Sequence, residues 1–280
     1  MRDRAARTSA GLAAPGVPTL HGRVESWECD FNGHWNARFY ARSFQLGGDT
    51  IPFLPGVAAP GYHPRTRHIR FHRELFVGAA IELRSALVAD GPHMGSVAHL
   101  LCSGGRLSAT CLDIRPGPIE GLPQLAAQEL ALALPRGLSG PCPPWQDSGN
   151  VSTCETGPLR QADLDHEGRI PMDEIIRRTA YATHGHVAAL GLDETLLKET
   201  GISRMAVESR FCRLGDCPVG TPLRVWARVS QLGQKSFTVS HLVESHAGQA
   251  VALVDHNLIT VDLNSRRAVD LPDFLRKAAF

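Results

Sequence analysis

Apolar positions along the chain predict one short strand, one helix and then four strands. The first strand is expected near residues 21–28 and the helix near 36–47. Phe39, Tyr40, Ser43 and Phe44 lie at the spacing of a buried helix face, and Gly47-Gly48 is expected to end the helix. Runs rich in Val, Leu and Ala and separated by Gly predict the later strands, at 66–75, 79–89, 94–103 and 106–115.

The same order of patterns recurs in the second half of the chain. A strand is predicted near 157–163, and a helix is expected from Pro171, which a first helical turn tolerates, to about Leu190. Four strands are predicted after it, at 203–212, 221–232, 235–246 and 249–263.

Two ungapped segment matches support an internal duplication. The segment that begins at Val77 aligns with the one at Val219, with Gly and apolar positions in register. "ECDFNG" aligns with "DLDHEG", which places Asp30 over Asp165. His99 aligns with His241, and this recurrence indicates a role in the fold. Since the two matches come in the same order, the chain reads as two copies of one βαββββ unit.

A Pro-rich stretch separates the copies, and seven of the 19 prolines fall between 115 and 145. This stretch is expected to be irregular and on the surface, with at most a short helix near 124–134. The predicted organisation has five parts: a flexible lead at 1–20, a first unit at 21–115, a linker at 116–156, a second unit at 157–270 and a tail at 271–280.

The predicted fold class is α+β. Each unit is expected to wrap a curved antiparallel sheet around one long helix. A single unit leaves an open sheet edge, and open edges invite pairing. The two sheets are therefore expected to join edge to edge.

Composition narrows the function. The net charge is +1, so no overall field attracts nucleic acid or an acidic membrane surface. No apolar run approaches the roughly 20 residues of a membrane span. The seven Cys form no C-x-x-C pair, no zinc-ligand spacing stands out, and reduced thiols in a cytoplasmic protein are the simplest interpretation.

The segment "WECDFNGHWNARFY", residues 27–40, carries the most specific signal. The segment is similar to the D-x-N-x-H-x-N-N segment of plant and bacterial acyl-ACP thioesterases. Asp30, Asn32, His34 and Asn36 match it position by position, and Ala37 stands where the pattern often has a second Asn. The segment is also similar, more loosely, to the Asp loop of the 4-hydroxybenzoyl-CoA thioesterase family. The chain thus resembles hotdog-fold acyl thioesterases in the tandem, double-hotdog form. In the plant enzymes the motif lies in the C-terminal hotdog, whereas here it lies in the first unit.

The resemblance implies hydrolysis of an acyl-CoA or acyl-ACP thioester, with no cofactor and no metal. Asp30 is the expected general base or nucleophile, while Asn32 and His34 complete the catalytic set. Backbone N–H groups from Gly33 to Asn36 are expected to stabilise the oxyanion. The alternative from spacing alone is a capped turn before a buried helix.

Substrate binding is assigned to Gly33, Trp35, Asn36 and Arg70. Arg70 lies on a strand face with His68 and His72 that could meet phosphates. Glu74 is an additional candidate carboxylate, with an exposed strand end as the alternative.

The second copy has Arg169 in place of His34 and Pro171 in place of Asn36, so it is expected to be a degenerate pseudo-site. It could still contribute Asp173, Glu174 or His184 to the first site.

Three further expectations remain open. A hotdog hydratase or dehydratase acting on enoyl or 3-hydroxyacyl thioesters is one alternative function, and a non-catalytic acyl-thioester binder is another. A homo-oligomer could form through the hotdog sheets.

Overall fold

The computed structural model describes residues 15–30, 33–59, 61–115 and 117–278. Most of the predicted N-terminal lead therefore lies outside the described residues. The helices are α1 (Ala37–Thr50), α2 (Met172–Ala189), α3 (Glu194–Thr200) and α4 (Asp273–Ala278). The strands are β1 (Val17–Arg23), β2 (Thr66–Phe71), β3 (Ala80–Val88), β4 (Val97–Ser103), β5 (Arg106–Ile114), β6 (Gln124–Leu125), β7 (Val151–Pro158), β8 (Ile202–Arg213), β9 (Pro222–Leu232), β10 (Ser236–Ser245), β11 (Ala250–Asp262) and β12 (Arg267–Ala268).

The two units join into one sheet at β2 and β8. Strands follow one another in the order β1-β3-β4-β5-β2-β8-β11-β10-β9-β7, and Ile69 lies opposite Ser209 at the junction. The junction strands pair antiparallel, as do the ten strands along this path. The predicted fold class and the edge-to-edge pairing of the two sheets are thus confirmed.

Both long helices bury one side against the same face of the sheet. Phe44 of α1 and Ile175 of α2 belong to a single apolar cluster that also contains strand residues of both units. Burial of such apolar side chains contributes about 1.5–3 kcal/mol each. The continuous core explains why the two units pack as one body.

Glycine at positions 47 and 48 does not end α1, contrary to the sequence prediction. The helix continues through both residues to Thr50. A Cβ at Gly47 would collide with the side chain of Leu83, and one at Gly48 would collide with Tyr62. Their role is close packing of helix on sheet.

The linker is mostly irregular, as predicted, and turns and the short strand β6 stand where at most a short helix was expected. Part of it is bound to the outer face of the sheet, where Leu130 and Ala133 pack against Ala98 and Leu112. The Glu208 carboxylate accepts the backbone N–H groups of residues 136, 137 and 138 at 2.7–3.2 Å.

A disulfide joins Cys142 of the linker to Cys212 of β8, so the prediction of reduced thiols is wrong for this pair. Their Cα atoms are 6.3 Å apart, within the range that a disulfide spans. Arg210 brings the linker there, because its Nη1 donates to the carbonyl oxygens of residues 138–141 at 3.1–3.3 Å.

The recurring histidines are buried structural groups, as predicted. His99 contacts the hydroxyls of Tyr62 at 2.8 Å and Ser85 at 2.7 Å, and His241 contacts Thr183 at 2.9 Å. His256 lies against His241, with ring centroids 5.2 Å apart. Burial lowers the pKa of His256 to about 4 and that of His241 well below its ordinary value.

We expect the protein to lose stability between pH 6.5 and pH 4. A histidine whose folded pKa is depressed stabilises the fold fully above its unfolded pKa, and this contribution falls as the pH drops toward the folded pKa. For His256, a change from 6.5 to about 4 corresponds to about 3 kcal/mol. Urea unfolding at pH 7.5, 6, 5 and 4.5 measures the loss. A free energy of unfolding that stays constant down to pH 4.5 would contradict this assignment.

Candidate active site

The Asp30 segment forms a tight loop directly before α1. The N–H of His34 donates to Asp30 Oδ1 at 3.0 Å, and the N–H of Asp30 donates to the carbonyl of His34 at 2.8 Å. Gly33 closes the loop by donating to the Asp30 carbonyl at 2.9 Å, and its φ of +75° requires glycine. Asp30 therefore has a loop-stabilising role through its Oδ1.

The second unit repeats this loop almost bond for bond. Asp165 Oδ1 accepts the N–H of Arg169 at 2.9 Å and that of Glu167 at 2.9 Å. Gly168 takes φ +79° and donates to the Asp165 carbonyl. The conserved geometry of the two loops means that any difference in chemistry comes from the side chains around them.

The backbone N–H groups of the first loop are already used within the protein. Gly33 and His34 donate to Asp30, as above. Trp35 donates to the Leu75 carbonyl at 2.7 Å, and Asn36 donates to the Glu28 carbonyl at 3.0 Å. These donors are used in folding the loop, which counts against the prediction that Gly33 to Asn36 supply the oxyanion donors.

Trp35 and Asn36 hold the start of the helix. The indole of Trp35 is buried, its Nε1 donates to Glu28 at 2.9 Å, and its ring lies 4.3 Å from that of Tyr40. Asn36 is the N-cap residue of α1, and its Oδ1 accepts the N–H of Arg38 at 3.0 Å. Asn32, the third predicted catalytic residue, lies outside the described residues.

His34 is paired with Glu74, the additional carboxylate from the sequence. His34 Nδ1 lies 3.3 Å from Glu74 Oε1, and the ring of Phe76 packs on its edge with centroids 5.1 Å apart. Both side chains remain partly open to solvent, 17% for His34 and 27% for Glu74. Arg266 of the second unit reaches Glu74 from the other side at 4.0 Å.

The second unit also brings His184 and Arg204 to the first loop. Arg204 Nη2 donates to His184 Nδ1 at 2.9 Å, and Nη1 donates to the Leu192 carbonyl at 3.1 Å. In the internal repeat, His184 of α2 corresponds to Asp49 of α1, and Asp49 lines a cavity with Asp165 of the second loop, so the repeat places His184 on the side of the first loop. Burial and the Arg204 charge lower the pKa of His184, while the Asp30 charge opposes them. Arg204 was missed in the sequence because nothing in β8 singles it out.

The other candidates from α2 connect the helices instead. Glu174 is buried and binds Arg177 and Arg178, and Asp173 lies 3.9 Å from Arg38 of α1. Burial raises the pKa of Asp173, although Arg38 opposes this shift.

Arg70 does not join the loop. Its Nη1 donates to the carbonyls of Ala131 at 3.2 Å and Leu134 at 3.0 Å, so it lies under the linker. Its neighbour Ile69 faces the core on the opposite side of the strand. Arg70 therefore holds the linker on the sheet.

A different set of side chains surrounds the second loop. Asp49, at the end of α1, lines a cavity together with Asp165, His166 and Glu167. His63 pairs with Glu167 at 2.9 Å. Within the described residues, no group of three or more His, Cys, Asp or Glu side chains could hold a metal ion. Over the same residues, no helix is long and apolar enough to cross a membrane.

Known proteins resemble this chain in sequence and in fold. Residues 159–279 match the model of the Thioesterase-like superfamily. An "L-carnitine dehydrogenase/betainyl-CoA thioesterase" from Agrobacterium fabrum is 26% identical over 115 residues, which is 41% of this chain and 24% of that protein. The chain therefore matches about a quarter of the length of this curated relative.

Solved acyl-ACP thioesterases share the fold over most of the chain. The 12:0-ACP thioesterase from Umbellularia californica superposes with a TM-score of 0.58 at 12% identity, covering 86% of this chain and 93% of its own. An acyl-ACP thioesterase from Bacteroides thetaiotaomicron gives a TM-score of 0.53 at 11% identity, covering 86% of this chain and 96% of its own. The resemblance to hotdog-fold thioesterases, in double form, is confirmed.

Proposed function

We propose that the chain is a hydrolase of acyl thioesters and that the Asp30 loop is its reaction site. The observation that carries the proposal is the position of Asp30, just before α1 and in one loop with His34, whose ring pairs with Glu74. The loop of the second unit makes the same backbone contacts, but it has Arg169 in place of His34 and Asp49 in place of His184. The fold and the family match in the second half support the same reaction.

In the proposed reaction, Asp30 acts on the water that attacks the thioester carbonyl carbon. The carboxylate takes a proton from water as the oxygen bonds to carbon, and the carbonyl becomes an oxyanion. The C–S bond then breaks, and the proton passes to the leaving thiolate. Direct attack by Asp30 on the carbonyl, through an acyl-enzyme anhydride, is the alternative use of the same residue. Asn32, as a third member of the set, stays a prediction.

The test is the release of free thiol from a panel of acyl-CoA and acyl-ACP thioesters. Thiol release supports a hydrolase. An absorbance change of an enoyl thioester without thiol release would identify a hydratase instead, and binding without either signal would identify a non-catalytic binder.

The panel also addresses the finer predictions. Proteins similar to this chain are named for betainyl-CoA and for an acyl-ACP substrate. The panel therefore includes thioesters of both coenzyme A and acyl carrier protein. Action in fatty acid metabolism and a cytoplasmic location stay predictions. A homo-oligomer through the hotdog sheets is likewise a prediction, and light scattering measures it.

We expect His34→Ala to reduce turnover by less than the ~10²-fold minimum for loss of a general base, because His34 orients water or substrate beside Asp30. Glu74 acts through His34, so Glu74→Gln in a His34→Ala background should cost nothing further. Steady-state thiol release for both single variants and the double variant measures this coupling. Glu82→Gln, which removes a partner of Arg84 on β3, is the matched control. Additive losses at 34 and 74 would mean that Glu74 acts independently.

A further inference from the structure

Hydrolysis at the Asp30 loop needs a hydrogen-bond donor for the oxyanion, and the loop itself does not provide one from residues 33–36. Their N–H groups are bound to protein acceptors at 2.7–3.0 Å. Releasing one of them would leave a loop carbonyl or carboxylate oxygen without its partner, which costs about 1–3 kcal/mol for a buried group. The donor is therefore sought among the side chains that face the loop.

His184 lies in the last part of α2, at the position that corresponds to Asp49 of α1. Since Asp49 lines a cavity with Asp165 of the second loop, the internal repeat places His184 opposite the first loop. Its Nδ1 receives a hydrogen bond from Arg204 at 2.9 Å. A guanidinium can only donate, so His184 Nδ1 must be the acceptor, and the proton of the neutral ring lies on Nε2. The side chain is packed on one side and exposed on the other, so a substrate can reach it.

Arg204 is itself fixed in place. Its Nη1 donates to the Leu192 carbonyl at 3.1 Å, in the segment just after α2. Burial lowers the pKa of Arg204 to about 10, which still leaves it charged at neutral pH. Because Nδ1 accepts from the Arg204 guanidinium, the ring carries its one proton on Nε2 and offers one N–H donor. Burial and this charge also lower the pKa of His184, which favours the neutral ring.

The second loop supplies an internal comparison. Asp49 of α1 corresponds to His184 of α2, and it lines a cavity with Asp165. Burial raises the pKa of Asp49, and the Asp165 charge adds to that effect. Two carboxylates facing one another repel an anion, whereas a carboxylate facing a neutral N–H donor can hold the base and the oxyanion together.

We propose that His184 Nε2–H donates to the thioester carbonyl oxygen and to the oxyanion that develops from it, and that Arg204 is the positioning residue that fixes the ring. The inference rests on the proposed hydrolase function. When water attacks, the carbonyl π electrons move onto the oxygen held by His184, and they return when the C–S bond breaks. The imidazole keeps its proton throughout.

His184→Ala should lower kcat about 10²–10³-fold with little change in KM, the effect of removing one oxyanion donor. His184→Gln keeps an N–H donor and should recover part of the loss. Arg204→Met should lower kcat with unchanged KM, and Arg204→Lys, which can still donate to Nδ1, should recover it. An acyl-CoA trifluoromethyl ketone, whose hydrate or adduct resembles the oxyanion, should bind His184→Ala more weakly by a similar factor.

Asp49→Asn is the matched control at the equivalent helix position and should retain the wild-type rate. Thermal melting and far-ultraviolet circular dichroism establish that each variant is folded. A folded His184→Ala with wild-type kcat, or one in which only KM rises, would overturn the inference while thiol release by the wild type keeps the hydrolase. Absence of thiol release from every thioester with the wild type would overturn the hydrolase and this inference together.

Discussion

Asp30→Asn is expected to reduce turnover by at least about two orders of magnitude while the fold remains intact. A general base contributes typically ~10²–10⁴-fold in rate, and an amide cannot take the proton from water. The amide oxygen can still accept the His34 N–H that Asp30 Oδ1 accepts at 3.0 Å, so the loop keeps its geometry. Thiol release at saturating substrate measures the loss, and thermal melting reports on the fold.

Asp165→Asn is the matched control, because Asp165 makes the same backbone contacts in the second loop. We expect Asp165→Asn to reduce turnover far less, because the second loop has Arg169 at the position of His34 and because Asp49 lines the same cavity as Asp165. Equal losses in both variants would mean two working sites. Full activity of Asp30→Asn would reduce the Asp30 loop to a capped turn.

The sequence was sufficient for the features that depend on local pattern. Apolar runs bounded by Gly and polar turns predicted β9, β10 and β11 to within one residue at either end, since each is a long, largely buried strand. Edge strands were harder, because β7 pairs on one side only and its burial pattern is irregular. Strand β7 begins at Val151, several residues before the start predicted near residue 157.

Features that depend on contacts between distant residues could not be predicted. The disulfide joins residues 70 positions apart, and only the binding of the linker by Glu208 and Arg210 brings them together. The same holds for the candidate site. Asp30 and His34 lie in one segment of the sequence, whereas Arg204 could be identified only from its hydrogen bond to His184 of α2 in the folded chain.

A fully buried ion pair in the first unit should be the most sensitive point for stability. Arg67 and Asp113 are both completely buried, and two N–H···O bonds of 2.7 Å join them. Burial by itself would raise the pKa of Asp113, but the Arg67 guanidinium and His99 outweigh it and hold that pKa below its ordinary value. Tyr62 completes the network, since its hydroxyl donates to Asp113 at 2.7 Å.

Asp113→Asn should destabilise the protein by about 3–5 kcal/mol, because it leaves the Arg67 charge buried without a counter-ion. Urea unfolding at pH 7 measures the change. Glu194→Gln, in the exposed pair with Lys198 on α3, is the control and should change stability by less than ~1 kcal/mol. Replacing both buried partners, as Arg67→Met with Asp113→Leu, should cost less than Asp113→Asn alone, since no unpaired charge remains. A double variant that is less stable than the single one would contradict this explanation. It would mean that the ion pair itself stabilises the pairing of β5 with β2.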